Sequence, residues 1–319
     1  MTAWNSIIDA AELPPIIDFS VGRDVIPDRR ALYPPSPRTR TRMTRTQRPE
    51  IGHNANVGGI RTNYLTSGTT GEWVLLVHGS GPGVTAYANW RLVIPEFAAD
   101  FQIVAPDMAG FGYSDRPAET HLGPDLWVDQ VLGLMDRLNI PTAHLVGNSF
   151  GGAIALRVAQ RCPDRVGKLV LMGSMGVSFP ITPGLERVWG YEPSVENMRA
   201  VLDVFAHSRE LVTDDLARVR YEASIQPGVQ EAFSAMFPAP RQRWIEELAL
   251  DDDELRLITH RTLIVHGRDD QVIPLANSYR LFELLGNSDL AALGQCGHWS
   301  MIERRSDFIR LVRDFLLEP

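Results

Sequence analysis

Short apolar runs that end in glycine or proline recur along most of the chain, and stretches of helical spacing lie between them. IRTNYLTSG (60–68) reads as a strand running into a turn. WVLLVHG (73–79) is a short apolar run closed by glycine, as a buried parallel strand should be. FQIVAPDMAGFG (101–112) repeats that pattern. LWVDQVLGLMDRLNI (126–140) spaces Leu, Val and Met on one helical face, and AHLVGNSFGGAIALRVAQRCP (143–163) reads as strand, tight turn and helix. KLVLMG (168–173) is a further strand. This alternation predicts an α/β protein with a mostly parallel, doubly wound sheet.

Between about Val177 and Leu250 the strands disappear. Amphipathic stretches such as VENMRAVLDVFAHSREL (195–211) and DDLARVRYEASI (214–225) replace them. The strand rhythm then returns with RTLIVHGRDD (261–270) and SDLAALGQCGHW (288–299), and a helix, DFIRLVRDFL (307–316), closes the chain. The expected organisation is an extension at 1–50, a core at 51–176 and 251–319, and a helical cap at 177–250 covering the ligand edge of the sheet. In the extension, RDVIPDRRALYPPSPRTRTRMTRTQRP (23–49) is rich in Pro and Arg and lacks apolar periodicity, which predicts a mobile or loosely docked segment. Its Pro and Asp content fits a transit segment poorly. Met43 is an alternative start, and a basic arm gripping a partner is the functional alternative.

Composition narrows the function classes. The 319 residues are 44% apolar and 22% charged, ordinary for a globular protein. A net charge of -8 argues against nucleic-acid and anionic-membrane partners. Lys168 is the only lysine among the cationic residues, a bias attributed to the coding genome. Cys162 and Cys296 form no C-x-x-C pair, so a reduced, intracellular protein is expected. No run suits a membrane span or a secretory signal, and the default location is cytoplasmic. A homo-oligomer is expected. No histidine pair has metal-ligand spacing, so neither metal nor other cofactor is expected.

The chemistry centres on Gly147-Asn148-Ser149-Phe150-Gly151, a G-x-S-x-G pentapeptide that follows an apolar strand and opens a helix. That context makes Ser149 a nucleophile at a helix N-terminus rather than part of a plain turn. A serine needs a base, which this arrangement places late and after an acid. His298, in Gly297-His298-Trp299, is the candidate base. Asp270 is the candidate acid, with Asp269 a close rival. His266 reads as a packed core residue, and His53, His121, His144, His207 and His260 have no motif around them. Cys296 reads as a small buried residue. The loop His78-Gly79-Ser80-Gly81-Pro82-Gly83 follows an early strand and suits an oxyanion hole. Its donors would be the N–H of Ser80, with Gly81 as alternate, and that of Phe150. A phosphate cradle is the weaker reading of these glycines, because no G-K-[ST] follows.

Taken together, HGSGPGVTAYANW (78–90), PDMAGFGYSDRP (106–117), GNSFGGAIAL (147–156) and QCGHW (295–299) resemble the meta-cleavage product hydrolases, carbon–carbon bond hydrolases of bacterial aromatic degradation. The resemblance runs from about residue 59 to the end. It implies an α/β-hydrolase fold with a helical cap. It also implies a small dienoate partner, a 2-hydroxy-6-oxohexa-2,4-dienoate, cleaved by water at C5–C6 to 2-hydroxypenta-2,4-dienoate and a carboxylic acid. The enol must become a ketone before C6 is attacked. The resemblance assigns Arg220 as carboxylate clamp, a role that suits the planar guanidinium. It places Asn89, Asn148 and Trp299 around the dienoate. Read on their own, Asn89 could cap a helix at Trp90, Asn148 could satisfy turn backbone, Trp299 could be core and Arg220 a solvated charge beside Arg218. RYEASIQPGVQEAFSAMFPAPRQRW (220–244) looks most like the branch acting on small alkyl or hydrogen substituents, with Phe179, Val229, Phe233, Met236 and Phe237 as candidate walls. Both a covalent acyl-serine and direct water attack stay open, the covalent route being preferred. The alternatives are a carboxylesterase or thioesterase with the same triad, and a non-catalytic receptor of this fold. The intact Ser149, Asp270, His298 and loop glycines weigh against the receptor.

Overall fold

The computed structural model describes residues 48–117 and 121–319, so the expectation for the extension falls almost wholly outside the described residues. Eight strands form one sheet: β1 (His53–Val57), β2 (Ile60–Ser67), β3 (Trp73–Val77), β4 (Gln102–Pro106), β5 (Ala143–Asn148), β6 (Val166–Met172), β7 (Thr262–Gly267) and β8 (Ser288–Leu293). Their order is β1-β2-β4-β3-β5-β6-β7-β8. β1–β2 and β2–β4 pair antiparallel, and all other pairs are parallel. β5 and β7 are buried at every residue, as strands covered on both faces must be. β1 escapes a reading by apolar pattern because only Val57 of His53–Val57 is buried.

Apolar clusters lie on both faces of the sheet. Trp127, Leu134, Phe150 and Ile154 belong to one, and Trp90, Phe97, Phe308 and Val312 to the other. The helices Pro124–Arg137 and Phe150–Arg161 serve the first cluster, and Arg305–Leu317 serves the second. Between β6 and β7 the chain contains helices and no strand, including Pro183–Trp189, Val195–Phe205 and Asp214–Ser224. The hydroxyls of Thr182, Ser194 and Thr213 cap these three by accepting from the N–H three residues on, which satisfies one otherwise open donor each. Among the described residues no helix is long and apolar enough to cross a membrane.

The loops that matter chemically leave the carboxyl ends of β3, β5, β7 and β8, where open α/β sheets place ligands. Asp107, just past β4, fixes the approach of two loops to this edge. Its Oδ1 accepts from Ala86 N–H (2.6 Å), and its Oδ2 accepts from Tyr113 N–H (2.8 Å) and Asn63 Nδ2 (2.9 Å). Burial pushes its carboxyl up to about 6 despite these donors. Asp107→Ala would strand three donors, so a stability loss on the order of 3 kcal/mol is expected in urea unfolding. An unchanged unfolding midpoint would refute this role.

Candidate active site

Ser149 sits between β5 and the helix Phe150–Arg161 with φ 55° and ψ -115°. This left-handed backbone is unfavourable for a non-glycine residue, on the order of 1–3 kcal/mol, and the surroundings over-determine it. Ser149 N–H donates to Met172 O at 2.9 Å, and its own carbonyl accepts from Gly152 and Met175 N–H. The flanking glycines are required by space. A Cβ on Gly147 would lie 2.4 Å from Gly151 O, and one on Gly151 would lie 2.3 Å from Val77 O. The helix therefore starts close against β3 and β5, and Ser149 projects at its N-terminus.

The geometry separates the rival acids. His298 Nδ1–H donates to Asp270 Oδ2 at 2.7 Å, while Asp270 Oδ1 accepts from Val272 and Ile273 N–H at 2.7 and 3.0 Å. Asp269 Oδ2 instead faces Cys296 N–H (3.3 Å) and His207 Nδ1 (3.9 Å). Burial alone would raise the Asp270 carboxyl. The adjacent His298 and His266 outweigh it and hold the group well below the usual carboxylate range. His266 is buried as expected, but it does more than pack. Its Nε2 lies 3.3 Å from Asp270 Oδ2 and 3.0 Å from Ile273 O, and its Nδ1 meets Ser278 Oγ at 2.6 Å. Cys296 is fully buried, and burial pushes its thiol up to about 12.

Two residues that the sequence did not single out fasten the His298 loop. Glu303 accepts from Gly297 N–H (2.6 Å) and from Ser208 N–H (2.7 Å), tying that loop to the chain just beyond the helix Val195–Phe205. Phe205 stacks on both His298 and Trp299 (centroids 5.5 and 5.1 Å), and its carbonyl accepts from His298 N–H. No motif marks either residue, because Phe205 meets His298 and Glu303 meets Ser208 across long sequence separation.

Ser149 and His298 line one cavity of about 40 Å³, with Ser80, Gly81, Asn89, Asn148, Arg220 and Trp299 also on its wall. No hydrogen bond joins Ser149 Oγ to His298, although both side chains line this cavity. Asn89 does not cap a helix at Trp90, since that helix starts at Ala86 and is capped by Thr85. Its Oδ1 accepts from Gly79 N–H (3.2 Å), and its Nδ2 is buried without a partner. Phe150 buries its ring in the core while its N–H stands at the helix start. Arg218 is exposed, but Arg220 turns inward and donates to Pro82 O at 3.3 Å. Among the described residues no carboxylate pairs with it, and burial, then repulsion from Arg91, pushes the guanidinium down to about 10.

The expected walls are replaced. Phe179, Phe233 and Phe237 are buried but do not line this cavity, Val229 lines another cleft and Met236 a separate depression near Trp244. Leu185, Val188, Phe205 and Val272 form the apolar side of the cavity instead. The amphipathic pattern identified the inserted helices without telling which one faces Ser149. The larger cleft, about 670 Å³, shares Val84 with the cavity but does not reach Ser149.

A family profile described as alpha/beta hydrolase fold matches residues 72–305. Over 270 residues the chain is 56% identical to a 2-hydroxymuconate semialdehyde hydrolase of Pseudomonas sp. strain CF600, covering 85% of this chain and 95% of that protein. It is 57% identical over 267 residues to a 2-hydroxy-6-oxo-2,4-heptadienoate hydrolase of Pseudomonas putida F1, covering 84% and 96%. Among solved structures it is similar to the meta-cleavage product hydrolase CumD of Pseudomonas fluorescens IP01, in a serine-to-alanine mutant form complexed with acetates. That TM-score is 0.83 at 54% identity, with 84% of this chain and 98% of that one covered. With the sheet order, the glycine-flanked turn at Ser149 and these likenesses together, the chain belongs to the α/β-hydrolase fold family and, within it, to the meta-cleavage product hydrolases.

Proposed function

We propose that this chain hydrolyses the C5–C6 bond of a 2-hydroxy-6-oxohexa-2,4-dienoate with hydrogen or a small alkyl group at C6, using Ser149, His298 and Asp270. The observation that carries the reading is Arg220, a cation with no acidic partner among the described residues, on the wall of the cavity that holds Ser149. A partly buried, unpaired charge is costly, and a bound carboxylate would relieve that cost. Asn89 and Asn148 offer polar contacts beside it, and Leu185, Val188 and Val272 leave a small apolar space for the C6 group. The names of the relatives, a semialdehyde and a heptadienoate hydrolase, favour the same small substituents. The helices of residues 177–250 act as the cap that closes over the bound substrate.

Arg220 anchors the substrate carboxylate. The 2-hydroxydienoate gains a proton at C5 and loses the enol proton, giving the 2,6-diketone. Ser149 Oγ then attacks C6 while His298 Nε2 takes its proton, and Asp270 stabilises the imidazolium through Nδ1. The N–H groups of Ser80 and Phe150 receive the oxyanion. Collapse breaks C5–C6, with the electron pair delocalised over the leaving 2-hydroxydienoate, and His298 acts as acid. Water, deprotonated by His298, releases the carboxylic acid from the acyl-serine.

Arg220→Gln tests the clamp. Loss of charge-assisted hydrogen bonds to a carboxylate is expected to lower kcat/KM for the dienoate by about 10- to 100-fold, and for a neutral aryl ester by under about threefold. Both are read spectrophotometrically, the dienoate by loss of its chromophore. Equal losses on the two substrates would make Arg220 structural and leave an esterase as the better reading.

A further inference from the structure

We propose that His78 is a positioning residue that aims the Ser80 N–H into the cavity by holding the carbonyl oxygen of the same peptide unit. The inference rests on the oxyanion role proposed above for Ser80. His78 follows β3 and is fully buried. Its Nδ1 lies 2.8 Å from Gly79 O, and its Nε2 lies 2.9 Å from Met108 N. A backbone N–H only donates, so Nε2 carries a lone pair and the ring proton sits on Nδ1, donating to Gly79 O. Burial pushes the imidazole down to about 4, which keeps it neutral and Nε2 free to accept. Phe111 packs edge-on against the ring at 5.2 Å and holds its plane.

The peptide between Gly79 and Ser80 is trans, so its C=O and N–H point in opposite directions. Fixing the Gly79 oxygen on His78 turns the Ser80 N–H the other way, and Ser80 lines the cavity with Ser149. That N–H has no acceptor among the described residues. Gly79 N–H is already taken by Asn89 Oδ1, so the turn is held on both sides. The segment 106–117 thereby takes part in the site, since Met108 N–H sets the tautomer of His78.

Two variants separate the nitrogens. His78→Gln offers an oxygen to Met108 N–H but loses the donor near Nδ1. His78→Asn can place an amide N–H near Nδ1 but loses the acceptor near Nε2. His78→Gln is expected to lower kcat about 100-fold, the scale of losing an oxyanion donor, for the dienoate and an aryl ester alike. Dienoate affinity, measured by titration in a Ser149→Ala background, should stay within about threefold, because the oxyanion donors act in the transition state. His78→Asn should recover kcat to within about fivefold of the unaltered enzyme. Unchanged kcat in His78→Gln, or equal losses in the two variants, would overturn the inference. Should neither variant fold, nitrogen-15 spectra of the unaltered protein labelled at histidine decide it. A neutral Nδ1–H tautomer for His78 supports it, and an Nε2–H tautomer or imidazolium refutes it. If the unaltered enzyme leaves the dienoate intact but cleaves the ester, the substrate reading fails and the His78 comparison still runs on the ester.

Discussion

Ser149→Ala is expected to cut dienoate turnover by roughly 10⁵-fold while substrate affinity stays within about threefold. The size follows from removing the oxygen proposed to attack C6 while leaving its surroundings intact. Alanine tolerates the φ of 55° no worse than serine does, because the strain arises at Cβ and not at the hydroxyl. No hydrogen bond of the Asp270–His298 pair passes through Ser149 Oγ. Arg220, Asn89 and Asn148 keep their places on the wall. The variant should therefore bind the dienoate, shift its spectrum and fail to release product. Single-turnover decay of the chromophore measures the first effect and titration the second. A residual rate within tenfold of the unaltered enzyme would remove Ser149 from the covalent step and point to water activated directly by His298.

The sheet was legible because buried parallel strands leave dense apolar runs closed by glycine, as β3, β5, β6 and β7 do. β1 did not, since a polar edge strand is held by its ladder with β2 rather than by apolar burial. The tight turn at Ser149 was legible for a local reason: Gly147 and Gly151 must both lack a Cβ for the helix to start so close to the sheet. The choice between Asp269 and Asp270 was not local. It depends on where the turn after β7 aims two adjacent carboxylates, and only the contact with His298 decides it. His266 was read as packed and Glu303 not at all, since sequence spacing does not show that the His266 ring meets Asp270 or that Glu303 reaches Gly297 and Ser208. The cavity walls failed for a further reason. Helical periodicity locates an apolar face but not which of its residues reach the cavity: Leu185 and Phe237 share one core cluster, and only Leu185 lines the cavity.

Asp270→Asn is the second large effect, and its cause is the proton on His298. Asp270 Oδ1 takes the N–H groups of Val272 and Ile273, so an asparagine would keep its oxygen there and turn Nδ2 toward His298 and His266. An amide N–H facing Nδ1 forces the ring proton onto Nε2, the nitrogen that must accept from Ser149. The variant would also face the Nε2–H of His266 with a second donor, which strips that ring of a carboxylate partner. We expect kcat to fall about 10⁴-fold at neutral pH, as it does when the tautomer is wrong but the geometry survives. Asp269→Asn is the matched control. Its carboxylate meets Cys296 N–H and His207 rather than His298, so kcat should change by less than about threefold. Steady-state kinetics on both variants, with circular dichroism to confirm folding, separates the two carboxylates. A larger loss in Asp269→Asn would transfer the acid's role to the neighbouring residue. A loss under tenfold in Asp270→Asn would mean that His266, Phe205 and the Glu303-bound loop hold the imidazole correctly without the charge.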